Sequence, residues 1–172
     1  MRCQHVHYEA AFGDYLRSRG FPYVSVDDTR RAIFAGTKVK SFDFLVYTPG
    51  PRHWIVDVKG RKFPYVGQDG SKGYWENWVA RADLESLKEW QTVFGEEYEA
   101  LFVFAYLLDC PPDRWPAVRP HSFRASYYAF LGVTLADYQQ NCRPRSAAWE
   151  TVAVPRATFR GIVRSIENGC AE

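Results

Sequence analysis

Apolar positions along the chain recur with two different periods, and each change of period marks an element. Over residues 7–19, Tyr8, Ala11, Phe12, Tyr15 and Leu16 repeat at helical spacing, and Gly20 stands where a C-cap glycine ends a helix. Residues 21–26 read as a short strand or an extended lead-in, and residues 27–31 as a polar connection. Residues 41–47 and 53–59 are strand patterns separated by Thr48, Pro49, Gly50 and Pro51, which predicts an antiparallel hairpin. Residues 60–73 hold four glycines and a proline and read as a loop. The spacing then predicts a long helix over 74–94, with Leu84, Leu87, Gln91 and Phe94 on its apolar stripe and Gly95 at its end. Residues 100–108 are almost continuously apolar, which fits a central strand covered on both faces. A strand over 126–133, a short helix over 135–141, a strand over 149–154 and a helix over 157–166 complete a mixed-sheet α/β domain.

Composition narrows the class. The 172 residues suit one domain, and 47% hydrophobic content supplies a full core. No apolar run reaches membrane-spanning length, and the opening residues lead into no signal-peptide core, so a cytoplasmic location is expected. Cys3, Cys110, Cys142 and Cys170 form no C-x-x-C pair, which favours free thiols. The net charge of +2 conceals segregation: residues 76–113 carry 9 acids against 2 bases, whereas all 8 bases after residue 113 are arginine. Arginine suits bidentate recognition of phosphate or carboxylate.

Charged residues inside strand patterns carry the chemistry. Asp57 and Lys59 interrupt the strand over 53–59, and a period of two sets them on one face with Val56 and Val58 on the other. Asp43 stands between Phe42 and Phe44 on the preceding strand. Pairing around the turn at 48–52 brings Asp43 roughly opposite Asp57, and two carboxylates so close favour a bound cation. Glu9, beside the apolar stripe of the first helix, reaches the same rim if that helix packs on the sheet. Oxygen donors of this kind suit Mg²⁺ or Mn²⁺. The bland reading of the same residues is a structural ion pair at a polar strand margin.

Glu9 on a helix, Asp43 on one strand and Asp57-Val58-Lys59 on the next resemble, in order and setting, the motif of the PD-(D/E)xK phosphodiesterase superfamily. That superfamily includes restriction endonucleases and Holliday-junction resolvases, and the resemblance covers roughly residues 5–108. His7-Tyr8-Glu9 also resembles the opening of a small bacterial family, which implies no function by itself. The superfamily resemblance implies a restriction-endonuclease-like mixed β-sheet core flanked by helices. It implies metal ligation by Asp43, Asp57, Glu9 and the Val58 carbonyl, with Lys59 positioning the attacking water and steadying developing charge. Many members carry Gln or Lys on the following helix, a role that would fall to Gln91. The implied reaction is Mg²⁺- or Mn²⁺-dependent hydrolysis of a phosphodiester, with DNA favoured over RNA, by structure or weak sequence specificity. The alternative is a non-catalytic nucleic-acid or protein-binding domain that keeps the fold.

The surroundings give phosphate-binding candidates in Lys38, Lys40, Arg61, Lys62 and Lys72, with Arg30, Arg31, Arg143 and Arg145 as weaker ones. Tyr65, Tyr74 and Trp75 are candidates for stacking on a splayed base, although core packing is the better reading of Trp75. A homodimer or a partner subunit fits a duplex with two strands to cut. No G-x-S-x-G, Walker loop or G-x-G-x-x-G occurs.

Overall fold

The apolar run over 100–108 lies at the centre of the computed structural model, which describes residues 3–26, 32–34 and 37–166. It forms β9 (Tyr98–Leu108), flanked in parallel by β5 (His53–Phe63) and antiparallel by β11 (Ser126–Thr134). Beyond β5 stand β4 (Phe44–Val46) and β1 (Tyr23–Ser25), and beyond β11 stands β10 (His121–Phe123). The sheet order is therefore β1-β4-β5-β9-β11-β10, with β14 (Arg164–Ser165) also pairing β11. Smaller pieces are the ribbons β2 (Ala32–Phe34) with β3 (Thr37–Val39) and β6 (Tyr65–Val66) with β7 (Lys72–Gly73). A three-stranded sheet joins β12 (Arg143–Ser146), β13 (Thr151–Ala153) and β8 (Val79–Ala80).

Strand alternation divides the core into two layers. Leu101, Val103 and Ala105 of β9 join Val56 and Val58 of β5 under α1 (Cys3–Ser18), whose Tyr8, Phe12, Tyr15 and Leu16 are buried there. Phe102, Phe104 and Tyr106 face the other way. They pack with Leu87 of α2 (Arg81–Phe94), Tyr138 of α3 (Leu135–Asn141) and Phe159 of α4 (Arg156–Ile162). Each fully buried aromatic or branched side chain contributes about 1.5–3 kcal/mol from apolar surface removed from water. The near-continuous apolar run is explained by this burial on both faces, as expected.

Two glycines permit the layout of α1. Gly20 has φ of 73°, and Phe21 N donates to Leu16 O at 3.0 Å, so the chain reverses at the helix end. Gly60 of β5 lies under the ring of Tyr8; a Cβ there would stand 2.2 Å from Tyr8 Cδ2. Only glycine lets α1 approach the strand so closely at that level.

The expected β4–β5 hairpin forms with the expected register, Phe44 opposite Val56. Other expectations are corrected. The long helix begins at Arg81, not at residue 74. Residues 74–80 are held in extended form because the buried Asn77 bonds both polar groups of Val154, and because Val79 and Ala80 pair β13. The loop over 60–73 is partly strand: β9 continues to pair β5 as far as Phe63, and β6 pairs β7. Arg143 and Arg145 lie on β12 instead of in a loop, and the last helix ends at Ile162 so that β14 can pair Leu131 and Gly132. Trp75 packs on Phe63 and Tyr106, the core role. No helix among the described residues is long and apolar enough to cross a membrane.

Candidate active site

β4 stops pairing β5 at the level where the charges begin. The regular register ends with Phe44 opposite Val56, which brings Asp43 to the level of Val56 and Asp57. Asp43 N still donates to Val56 O at 2.9 Å, after which the chain peels away through Phe42 and Ser41. The Asp43 carboxylate then stands in for the missing strand: its Oδ2 accepts from Val58 N at 2.6 Å. Because the amide and carbonyl of one strand residue point to the same edge, the Val58 carbonyl faces this open margin too.

Asp57 and Lys59 share the face of β5 that carries Ile55 and Phe63, which is the side of α2. α2 crosses over between the parallel strands β5 and β9, so its first turn returns to the carboxyl-terminal half of β5. Lys59 Nζ lies 2.9 Å from Asp57 Oδ1 and 3.0 Å from Asp83 Oδ2, and Lys40 Nζ lies 2.7 Å from Asp83 Oδ1. The side chains of Lys59, Asp57 and Asp83 are only 17%, 13% and 16% exposed, so this chain of charges is well shielded. Asp83 was not singled out from the sequence. Its signal was an acid in the first turn of α2, visible only once the helix start is known.

The electrostatics separate the three acids. Burial lifts the Asp43 carboxyl well above the ordinary carboxylate range, and the nearby charges of Asp57 and Glu9 lift it further. Burial also raises Asp57, opposed by the Lys59 ammonium and reinforced by Asp83. Asp83 falls below its ordinary value: burial would raise it, but Lys59 and Lys40 outweigh that. Lys59 itself is raised despite its burial, because Asp57 and Asp83 hold its proton.

Glu9 follows Tyr8, the residue seated over Gly60, and thereby comes within electrostatic reach of Asp43. Gln91 is not brought to the cluster. Its Nε2 donates to Gly95 O and Tyr98 O, at 3.1 and 2.8 Å, and its Oε1 accepts from Ala100 N at 2.6 Å. It joins the end of α2 to the start of β9, two helical turns from Asp83, and this corrects the family-based expectation for Gln91. Arg61 is also diverted: it stands 4.0 Å over the Trp78 ring and donates to Gly60 O and Trp78 O. Lys40 is exposed but paired with Asp83, while Lys62 and Lys72 are exposed. Arg30, Arg31, Cys170 and the side chain of Lys38 lie outside the described residues.

The donor set fits a hard divalent cation. Asp43 and Asp57 each keep one carboxylate oxygen outside the contacts just described, and Glu9 lies within electrostatic reach of Asp43. Among the described residues no three His, Cys, Asp or Glu side chains form a ready cage. An oxygen-poor site of this kind suits Mg²⁺, which keeps several waters and shares phosphate oxygens.

No family model matches the chain, and no curated protein matches it. Among solved structures, the Holliday junction resolvase Hjc of the archaeal hyperthermophile Archaeoglobus fulgidus is similar. The TM-score is 0.56 at 14% identity, over 94% of this chain and 96% of that one. At that identity the likeness shows the fold alone: a restriction-endonuclease-like mixed sheet flanked by helices.

Proposed function

We propose that the chain is a divalent-metal-dependent nuclease that hydrolyses phosphodiester bonds in DNA. The observation that carries this reading is the convergence of Asp43 and Asp57 with Lys59 at the margin where β5 loses its neighbour. A resolvase fold around those residues supports DNA as the substrate. Asp43, Asp57, the Val58 carbonyl and Glu9 would hold the cation. When bound, the cation acidifies water and neutralises phosphate charge.

The chain's own residues supply the rest. Lys59, kept charged by Asp57 and Asp83, donates to oxygens that become more negative as the phosphate is attacked. It orients the attacking water but does not take its proton. Asp83 is a positioning residue that fixes the Lys59 ammonium from the side away from the open margin. With Lys62 and Lys72 on the surface nearby, the flanking strand backbone finds bases without a sequence-reading module. Structure-selective or weakly sequence-selective cleavage follows, and a second copy of the chain would serve the second strand of a duplex.

A second reading is favoured by one contact: Lys59 is held by two acids, as in a structural ion network. On that reading the chain binds nucleic acid or protein without cutting. Incubation with supercoiled, single-stranded and branched DNA, and with RNA, in Mg²⁺, Mn²⁺ or EDTA separates the two. Cleavage is expected only with the metals, reduced at least about 100-fold by Asp57→Asn and by Lys59→Met. Cleavage that survives Asp57→Asn, or none on any substrate, overturns the nuclease reading.

A further inference from the structure

The site continues into a cleft of about 700 Å³. Its lining begins at Gly60 and Arg61, the two residues that directly follow Lys59 on β5. Trp78 and Trp149 line the cleft, together with Tyr65. Trp149, on the turn between β12 and β13, is 79% exposed, and Tyr65 is 51% exposed. Such large aromatic faces left in water beside a catalytic margin need an explanation.

Three further observations bear on what fills the cleft. Thr151, only 6% exposed, and Arg61 also line it, and together with Ala80 and Leu107 they close its floor. Trp78 is held rigid, with Arg61 at 4.0 Å and Arg145 at 5.5 Å from its ring centroid. The bases Arg61, Lys62 and Arg145 outnumber the acid Glu76 along the walls, and Glu76 is engaged with Arg145 at 3.6 Å.

Exposed aromatic faces and a positive rim together match a nucleobase with its phosphate. A paired base is stacked inside its duplex and cannot enter; an unpaired one can. We propose that this cleft receives an unpaired nucleobase of a DNA strand whose neighbouring phosphate lies at the Asp43–Asp57 margin. The proposal rests on the nuclease reading and deepens it: the substrate class is DNA with an unpaired nucleotide next to the scissile phosphate. Trp149 and Tyr65 supply the stacking faces, and Lys62 at the rim meets the phosphate.

The test is binding in EDTA, which needs no cleavage. Three short DNA duplexes serve as probes: fully paired, with one unpaired 2-aminopurine, and with an abasic site in place of that base. The 2-aminopurine duplex is expected to bind about tenfold more tightly than the abasic one, with its fluorescence quenched. Trp149→Ala should abolish that preference and Trp149→Phe restore most of it, while Tyr65→Ala reduces it. Equal binding of the 2-aminopurine and abasic duplexes, or a Trp149→Ala variant that weakens all three alike, overturns the proposal. A protein that cuts DNA yet shows no preference loses only the cleft assignment. A protein that shows the preference but never cuts loses only the nuclease reading.

Discussion

The two halves of β5 have the same backbone and nearly opposite characters. From Trp54 to Val56 the strand is paired on both edges, to β4 and β9, and Trp54, Ile55 and Val56 are buried. From Asp57 onward β9 continues but β4 has left, and the side chains facing α2 are Asp57, Lys59 and Arg61. A charge inside a sheet is tolerable only where one edge opens and another element answers it. Here Asp43 answers the edge and Asp83 answers Lys59. The loss of one neighbouring strand therefore both creates the reactive margin and gives access to it.

Substitutions in the two halves should separate stability from activity. The largest stability effect is expected in the first half: Ile55→Ala leaves a cavity between two sheet neighbours and costs about 2–5 kcal/mol. Urea unfolding would show it, with the cleavage rate per folded molecule little changed. At the boundary, Gly60→Ala drives a methyl into the Tyr8 ring. A loss of about 1–3 kcal/mol is expected. Cleavage should fall further than Ile55→Ala reduces it, because α1 carries Glu9. If both variants affected activity equally, the boundary would have no special role.

Gln91→Leu tests the far end of α2. It strands Ala100 N and two carbonyls at the start of β9, for a loss of about 1–3 kcal/mol, without a matching loss of activity per folded molecule. Strong loss of turnover at unchanged stability would return Gln91 to the catalytic set.

The smallest expected effect has the opposite sign. Asp43→Asn keeps an acceptor for Val58 N and removes a carboxylate crowded by Asp57 and Glu9. It should stabilise the fold by about 1 kcal/mol while abolishing cleavage. For a chain of this size that is a gain of roughly 2–4 °C in Tm. The pH dependence follows from the raised Asp43 carboxyl. The folded form holds its proton more tightly than the unfolded form, so wild-type stability falls as pH rises above the ordinary carboxylate range and through the raised value. The variant lacks the Asp43 share of that decline and keeps the share of the raised Asp57. Asp83, whose value is lowered, contributes stability above the ordinary carboxylate range that is lost as pH falls, and both proteins keep this acid limb. Urea denaturation across pH checks both limbs.

Much of the site was legible without coordinates. Asp57-x-Lys59 in an apolar strand and Asp43 between two phenylalanines are local anomalies, and a short turn constrains which residues of two strands can meet. The observed register, Phe44 opposite Val56, accordingly brings Asp43 close to Asp57. Glu9 needed more than helical period: it reaches that level because α1 packs on the sheet. Gln91 misled because its polarity on an apolar stripe has two explanations, and only the location of the β9 start distinguishes them. Asp83 was hidden because residues 74–80 carry a helix-like pattern that Asn77 and β13 override.

The sequence by itself determined the elements whose periodicity repeats over many residues: α1, the β4–β5 hairpin, the doubly buried β9 and the acids set among them. Burial imposes those patterns residue by residue, so they can be read locally. Only the tertiary structure decided where β4 lets go of β5, which turn of α2 faces Lys59, and that Trp149, Trp78 and Thr151 share a cleft with Arg61. Those facts depend on contacts between residues as much as ninety positions apart in the chain, a distance at which no periodic signal survives.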